Sequence, residues 1–497
     1  MTKRLKTSRI SRRALLGGMA ASLPVAYAHA AQPTRPLLRP AGIRAQFSGQ
    51  VEQIFGRSGL ANHTGFVLTD LSSGQVIEQH NGAMPQPPAS VAKVMTALYG
   101  LEGLGGGYRF RTRVVVTGPV KDGVVEGDLV LVGSGDPTLD TDRLADMARA
   151  VAEAGIKKVR GRFVVASGAL PFHHAIEATQ PEFVGYNPAI SGSNLNFNRV
   201  HFQWTRDAGG YALAMTARAA RHDTPVAGVG MQVVDRQAPV FTYEGRQGRD
   251  NWTVSQQALG RTGSRWLPVR APGQYTGEVF RTLAYANGVS LPPFEETDAQ
   301  ILGREIAVDE SEPAREIIRG MLKYSNNLTA ETIGLRASQQ VGMAPATIEQ
   351  SSAAMTRWLA ETHGIANADI CNHSGLTDRS HISALEMVRV LNGAQTGSLP
   401  ALLRDRPLVS DGGEKVVLPG IGVVAKTGTM NFVRGLSGYI VHGSGRRYGF
   451  AIFAADKEAR AELSDKDTET PRGAAGWMGR AKEQERALLW SWASALS

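Results

Sequence analysis

Predicted strands lie near both ends of this chain, and helix-rich and strand-rich segments separate them. An apolar hairpin is predicted over residues 65–77, and three strands over residues 423–454 precede a terminal helix. Between them, residues 110–165 and 185–270 contain short strand-like runs, and residues 312–363 are strongly helical. This order predicts an α+β domain that is split by a long insertion.

Composition indicates a folded protein with more than one domain. The chain has 497 residues, of which 20% are charged and 42% are hydrophobic. This balance excludes a disordered chain and provides enough apolar mass for large cores. At about 150 residues per domain, roughly three domains are expected. Cys371 is the single cysteine, so no intrachain disulfide can form.

The first thirty residues predict a removable signal peptide. They contain six cations and no acid, and their apolar stretch at residues 14–28 is shorter than the ~20 residues of a membrane-spanning helix. Residues 28–30 (Ala-His-Ala) form a small-x-small cleavage pattern. Residues 11–16 (Ser-Arg-Arg-Ala-Leu-Leu) also resemble a twin-arginine signal, and the two export routes remain alternatives. Both routes predict a periplasmic protein.

The mature chain is only mildly basic. Removing the six N-terminal cations lowers the formal net charge from +9 to about +3. No basic tract with interleaved aromatic residues remains, so a nucleic-acid partner is not expected.

Ser90 and Lys93 begin a predicted apolar helix. It runs from about Ser90 to Glu102, and Lys93 is its only charge before Glu102. Burial among apolar side chains favours the neutral amine and lowers the pKa of the lysine. Side chains at i and i+3 share a helix face, so the amine lies beside a hydroxyl that it can deprotonate. The helix N-terminus favours negative charge on that oxygen.

Two further motifs favour this interpretation over a serine cap with a solvent-seeking lysine. Ser-Asn-Asn at residues 325–327 starts a helical stretch, and Lys-Thr-Gly-Thr at residues 426–429 ends an apolar strand. Each has a structural alternative, as a helix cap or a solvated strand end. Their order along the chain is far more specific than any one of them.

Ser-x-x-Lys, Ser-x-Asn and Lys-Thr-Gly in this order are the signature of penicillin-recognising serine enzymes. The interval between the first two motifs is too long for a compact β-lactamase-like enzyme. The chain resembles the class C low-molecular-mass penicillin-binding proteins, the D-alanyl-D-alanine carboxypeptidase/endopeptidase family, over nearly all of its mature length. Residues 374–376 resemble the Asp-Gly-Ser-Gly-Leu segment of that family. Asn372 and His373 replace its acid and first glycine, which leaves the role of this loop open.

The resemblance implies a fold as well as a reaction. The expected catalytic domain is a penicillin-recognising, transpeptidase/β-lactamase-like α+β domain with an antiparallel sheet between helical layers. It is expected over residues 41–105 and 300–497, after the signal peptide at residues 1–30. A large inserted β-rich region, of one or more domains, is expected over residues 106–299.

The resemblance also implies a role for the first two motifs. Ser90 would attack the carbonyl between two D-alanines, and Lys93 would accept its proton. Ser325 would relay that proton to the leaving amine. Asn327 would hold Lys93 and bind the substrate amide. Water would then hydrolyse the acyl-enzyme, and the chemistry needs neither a metal nor a cofactor.

The third motif would bind substrate. Lys426 would attract the terminal carboxylate, aided by the hydroxyls of Thr427 and Thr429. The oxyanion would lie between the backbone N–H groups of Ser90 and Thr429. Gly428 would let the substrate lie close to the strand edge, because it has no side chain.

The implied function is a serine D-alanyl-D-alanine carboxypeptidase that acts on peptidoglycan muropeptides, and D,D-endopeptidase action stays open. β-Lactam antibiotics are the expected covalent inhibitors. The alternatives are a β-lactamase or esterase on the same scaffold, and a non-catalytic cell-wall-binding protein. A homodimer and a peripheral contact with the membrane or cell wall also stay open.

Overall fold

The two distant strand regions form one antiparallel sheet, the central sheet. In the computed structural model, which describes residues 41–246, 248–463 and 469–497, the N-terminal hairpin pairs with C-terminal strands. Phe66 lies opposite Ile452 in this pairing. The six strands, in spatial order, are Arg404–Asp405, Ile421–Met430, Val433–His442, Arg447–Ala455, Thr64–Asp70 and Gln75–His80.

Helices cover both faces of the central sheet. Successive side chains of a strand point to opposite faces. Val67 and Phe453 accordingly join the core beneath the larger group of helices. Phe66 and Phe450 face the other way and pack on Trp492 of the terminal helix. The predicted fold class, an antiparallel sheet between helical layers, is therefore confirmed.

Helices occur in the expected segments, at residues 92–104, within residues 312–363 and near the end of the sequence, and also at Ala41–Ser58 and Ala384–Ala394, where none was predicted. The helix Pro272–Ala286 begins at a proline, which is well suited to the first position of a helix. The α-helices are Ala41–Ser58, Ala92–Leu104, Thr141–Glu153, Pro272–Ala286, Ala314–Tyr324, Asn327–Gln340, Ile348–His363, Ala384–Ala394, Leu399–Leu402, Lys457–Ala461 and Ala474–Ala495. Short 3-10 helices occur at Ala61–His63, Ala89–Val91, Asn196–Asn198 and Gln256–Ala258.

The inserted region is rich in β-structure, as predicted. Its largest sheet is mixed and contains Phe294–Thr297, Phe163–Ala166, Leu129–Val132, Arg111–Val116 and Arg304–Glu310. An antiparallel sheet contains Asp223–Pro225, Gly210–Arg218, Arg199–Asp207 and Thr262–Pro268. A three-stranded sheet contains Val229–Val234, Arg249–Ser255 and Phe241–Arg246. The remaining short strands are Val120–Lys121, Val124–Val125 and Lys158–Val159 in one sheet, and Leu408–Val409 and Lys415–Val416 in another.

The mixed sheet spans the predicted boundary after residue 299. Arg304–Glu310 pairs with Arg111–Val116, so residues from both sides of that boundary share one sheet. The division of the chain into domains stays a prediction. The predicted signal peptide at residues 1–30 lies outside the described residues. Among the described helices, none combines the length and the apolar character needed to cross a bilayer.

Candidate active site

Ser90 lies in a tight turn at the start of a buried helix. The 3-10 helix Ala89–Val91 leads directly into the α-helix Ala92–Leu104. Ala89 is fully buried and has a φ of 44°, in the left-handed region that non-glycine residues rarely adopt. Such strained residues persist only where the surroundings hold them, and they cluster at functional sites. The turn leaves the side chain of Ser90 half-buried at the N-terminus of the helix.

Lys93 is completely buried and is held from three directions. Its Nζ lies 2.9 Å from Ser90 Oγ. It also donates to Asn327 Oδ1 at 2.7 Å and to the Ser374 carbonyl at 2.6 Å. Burial, followed by the nearby Lys426 cation, holds the pKa of Lys93 well below its usual range, against the opposing effect of Glu331. A neutral amine has two N–H bonds and one lone pair, and the two oxygen acceptors leave the lone pair for Ser90.

The second motif lies between two helices. Ser325 adopts a left-handed conformation with φ of 59° after the helix Ala314–Tyr324. Asn326 caps the next helix, since its side chain accepts from Thr329 N. This geometry turns Asn327 inward toward Lys93. The Nδ2 group of Asn327 donates to the backbone carbonyl of Tyr186 at 2.9 Å, which brings the inserted region to the site.

The third motif lies on the longest strand pair of the central sheet. Lys426 is buried and donates to Ser325 Oγ at 2.9 Å and to the Thr427 carbonyl at 2.7 Å. Burial, with a contribution from the Arg434 cation, lowers the pKa of Lys426 to about 7. Thr429 is exposed, and its Oγ1 accepts from Arg434 Nη1 at 2.8 Å. The hydroxyl proton of Thr429 is therefore free to donate elsewhere.

Gly428 brings the strand against the turn that carries Ser90. A methyl group at this position would lie 2.6 Å from the Pro88 carbonyl oxygen and 3.0 Å from Ser90 N. From the sequence, the missing side chain was expected to let the substrate lie close to the strand edge. The structure adds a second requirement, because the backbone of the protein itself occupies that space. The structure thus brings the three predicted motifs together.

A known protein family has a model that matches most of this chain. The family model described as "D-Ala-D-Ala carboxypeptidase 3 (S13) family" matches residues 48–471, which include all three motifs. The chain belongs to the S13 family. The predicted resemblance is therefore confirmed.

Two relatives named as D-alanyl-D-alanine carboxypeptidases match most of the chain. A D-alanyl-D-alanine carboxypeptidase of Actinomadura sp. (strain R39) is 28% identical over 422 residues, covering 76% of this chain and 75% of the relative. D-alanyl-D-alanine carboxypeptidase DacB of Haemophilus influenzae is 22% identical over 412 residues, covering 79% and 85%.

A solved structure shows the same fold. The crystal structure of penicillin binding protein 4 (dacB) from Haemophilus influenzae matches with a TM-score of 0.70 at 18% identity. The match covers 88% of this chain and 99% of that chain. Another crystal structure of that protein is a complex with a β-lactam.

Glu331 is a buried group at this S13 site that the sequence argument missed. Its carboxylate accepts from the backbone N–H groups of His373 at 3.0 Å and Ser374 at 2.8 Å. Burial raises the pKa of Glu331 to about 7, although these hydrogen bonds oppose the rise. A signal was present, since Glu331 lies one helical turn after Asn327 in an apolar stretch. Like Lys93, Glu331 is an isolated charge on a predicted apolar helix.

The loop whose role the sequence left open holds Lys93 in this S13 protein. Its Ser374 carbonyl accepts from Lys93, and Gly375 packs so tightly that a Cβ would lie 1.9 Å from the Ala89 carbonyl oxygen. Gly375 also has a φ of +72°, which favours glycine. His373 stacks on Tyr99, and burial lowers the pKa of His373 to about 3, so the ring stays neutral.

Arg434 is a second missed residue. It lies directly opposite Thr429 in the strand pairing. Glu485 of the terminal helix accepts from Arg434 Nε at 2.6 Å and from Nη2 at 2.8 Å. This ion pair is buried, and it fixes the guanidinium that contacts the Thr429 hydroxyl. An arginine on the neighbouring strand carries no motif that could have identified it.

Proposed function

We propose that this S13 protein is a serine D-alanyl-D-alanine carboxypeptidase that forms its acyl-enzyme on Ser90. The observation that carries the proposal is the environment of the Lys93 amine. Two acceptors, Asn327 Oδ1 and the Ser374 carbonyl, take its N–H groups, and Ser90 Oγ lies 2.9 Å away. A desolvated amine with its lone pair directed at a hydroxyl is a general base for nucleophilic attack.

Acylation uses four side chains of the first two motifs, together with the backbone N–H groups of Ser90 and Thr429. Ser90 Oγ attacks the carbonyl carbon of the penultimate D-alanine while its proton passes to Lys93 Nζ. The resulting oxyanion lies between the backbone N–H groups of Ser90 and Thr429, where loss of one donor costs ~3–4 kcal/mol. The C–N bond then breaks, and Ser325 relays the proton from Lys93 to the amine of the departing D-alanine, which leaves Lys93 neutral again. Asn327 holds Lys93 throughout.

The third motif recognises the carboxylate end of the substrate. The ammonium of Lys426, while protonated, attracts the carboxylate of the terminal D-alanine. The hydroxyls of Thr427 and Thr429 add hydrogen bonds, and the Thr429 proton is available because Arg434 occupies a lone pair of its oxygen. Water finally hydrolyses the ester on Ser90 and releases the shortened stem peptide.

The substrate is the stem peptide of peptidoglycan, and the protein acts in the periplasm. The predicted signal peptide supports this location, and the relatives named D-alanyl-D-alanine carboxypeptidase support this substrate class. β-Lactams acylate Ser90 because their strained amide takes the place of the D-alanyl bond. The β-lactam complex of the Haemophilus influenzae protein supports this inhibitor class.

Penicillin labelling combined with muropeptide digestion tests the proposal. The mature protein should gain one penicillin mass by intact mass spectrometry and should release D-alanine from purified pentapeptide muropeptides. Ser90→Ala should do neither. Ser383→Ala is a matched control, because Ser383 also begins a helix, and its hydroxyl bonds Glu386 rather than a residue of the three motifs.

Each other outcome identifies a different function. Rapid turnover of penicillin without D-alanine release would indicate a β-lactamase or esterase. Binding of peptidoglycan without labelling or cleavage would indicate a non-catalytic wall-binding protein. An adduct that persists on Ser90→Ala would overturn the assignment of the nucleophile.

A further inference from the structure

The side-chain amide of Asn327 has one orientation that satisfies both of its hydrogen-bond partners, Lys93 Nζ and the Tyr186 carbonyl. Its Oδ1 faces Lys93 Nζ at 2.7 Å, and its Nδ2 donates to the Tyr186 carbonyl at 2.9 Å. A half-turn of the amide would place two oxygens against each other at Tyr186. It would also direct N–H groups at the Lys93 amine and take its lone pair away from Ser90. The Tyr186 carbonyl therefore determines which atom of Asn327 faces the amine.

The peptide that carries this carbonyl is fixed by Asn187. Asn187 N donates to the Val184 carbonyl at 3.0 Å. The buried side chain of Asn187 accepts from Ile176 N at 3.0 Å and Glu177 N at 2.9 Å, and it donates to the Glu177 carbonyl at 2.9 Å. The hydrogen bonds of Asn187, the next residue, thus fix the position of the Tyr186 carbonyl.

Arg270 ties the whole segment 174–187 to the inserted region. It is 3% exposed, and its Nη1 donates at 2.8 Å to the carbonyls of both His174 and Asn187. Its Nη2 donates to the Glu182 carbonyl at 2.7 Å. Its backbone N–H donates to the buried carboxylate of Asp250 at 2.8 Å. One guanidinium thus connects the two ends and the middle of the segment.

We infer that Arg270 is a positioning residue for the reaction at Ser90, acting through segment 174–187 and the orientation of Asn327. Through the Tyr186 carbonyl, the inserted region thereby helps to orient the lone pair of Lys93 Nζ toward Ser90. Arg270 touches none of the four proposed catalytic side chains, so its effect must pass through the Tyr186 carbonyl. The inference rests on the proposed function, because it concerns the base of that reaction.

Arg270→Lys keeps the charge but loses the planar fork that reaches three carbonyls. We expect the second-order rate of Ser90 acylation by penicillin to fall by about ten- to a hundredfold, because a slight misplacement of catalytic groups costs about that much. Arg236→Lys is the matched control. Arg236 also donates to three backbone carbonyls of the inserted region, those of Pro239, Val240 and Thr253, none of which belongs to segment 174–187. Its acylation rate should stay within about twofold of the wild type.

A double-mutant comparison separates positioning from general loss of structure. If Arg270 acts through Asn327, Arg270→Lys should add no further loss to Asn327→Ala, because residues that act through one contact are non-additive. If the two residues act independently, the fold-loss of acylation rate in the double variant should equal the product of the losses in the two single variants. Thermal unfolding of each variant reports any structural damage. If Arg270→Lys does not fold, Asn187→Ala carries the same comparison.

The outcomes are distinct. Wild-type acylation rates in folded Arg270→Lys, or multiplicative losses with Asn327→Ala, would overturn the inference and leave the proposed function standing. An equal loss in Arg236→Lys would overturn it as well. A wild-type chain that penicillin does not acylate would overturn both.

Discussion

Lys93 Nζ donates to the carbonyl of Ser374 across 281 residues of sequence, at 2.6 Å. That carbonyl is held because the backbone N–H groups of His373 and Ser374 donate to Glu331. Glu331 lies on the same helix as Asn327, the other acceptor of Lys93. One helix therefore positions both acceptors of the amine, one directly and one through a loop.

Lys93→Met should abolish the base while keeping the volume of the side chain. We expect the acylation rate to fall by about 10²- to 10⁴-fold, the usual contribution of a general base. The variant should unfold at a lower temperature, because the buried Asn327 Oδ1 and the Ser374 carbonyl lose their donor. Stopped-flow acylation and calorimetry check both outcomes. Near-wild-type acylation would show that Lys93 is not the base.

Glu331→Gln should disturb the position of the Ser374 carbonyl, because Glu331 binds the backbone of His373 and Ser374. The amide group of glutamine cannot accept from both N–H groups as the carboxylate does, so one donor stays unsatisfied at a cost of about 1–3 kcal/mol. We expect lower stability together with slower acylation. Glu386→Gln is the control, because Glu386 is also buried and accepts from Asn367 N away from the site. It should lower stability only. Slower acylation in both variants would contradict a specific role for Glu331.

The pKa of Lys426 predicts how substrate binding depends on pH. Lys426 is an ammonium below about 7 and loses its charge above that value, because burial lowers its pKa. The KM for a peptide ending in a free carboxylate should therefore rise as the pH increases through 7. A peptide amide, which lacks the carboxylate, should not show this rise. Steady-state kinetics between pH 5 and 10 compare the two. If KM changed with pH in the same way for both peptides, Lys426 would not be the group that recognises the carboxylate.

Gly428→Ala should displace the turn of Ser90. The added methyl group would lie 2.6 Å from the Pro88 carbonyl oxygen, so the strand and the turn must separate. We expect acylation to fall by at least about tenfold, given the sensitivity of such geometry to small displacements. Gly422→Ala lies on the same strand, where an added Cβ meets nothing within 4 Å. That control should acylate normally, and a normal rate for Gly428→Ala would refute the packing argument.

Side-chain motifs made the proposed nucleophile, base and carboxylate-binding lysine predictable from sequence. Their residue types carry chemistry, and their order along the chain matches a known family. The central sheet was also predictable, because its strands alternate or run as apolar stretches between clear turns. The ends of helices were less accurate, since a terminal turn depends on packing as much as on sequence.

Backbone groups at the site could not be predicted in the same way. The carbonyls of Ser374 and Tyr186 are present in every peptide, so only the folded chain shows which ones reach Lys93 and Asn327. Arg270 likewise binds carbonyls that no sequence motif identifies. Glu331 is the exception, since its charge on a buried helix was visible beforehand.

The strand Thr64–Asp70 lies between Gln75–His80, its neighbour in sequence, and Arg447–Ala455, near the far end of the chain. During synthesis, the segment with Ser90 is consequently made long before Arg447–Ala455, the strand that pairs with Thr64–Asp70. Closing so long a loop is entropically costly and slow, which makes the central sheet a late product of folding. Incomplete chains should therefore be unable to react with penicillin, however much of the inserted region has already folded.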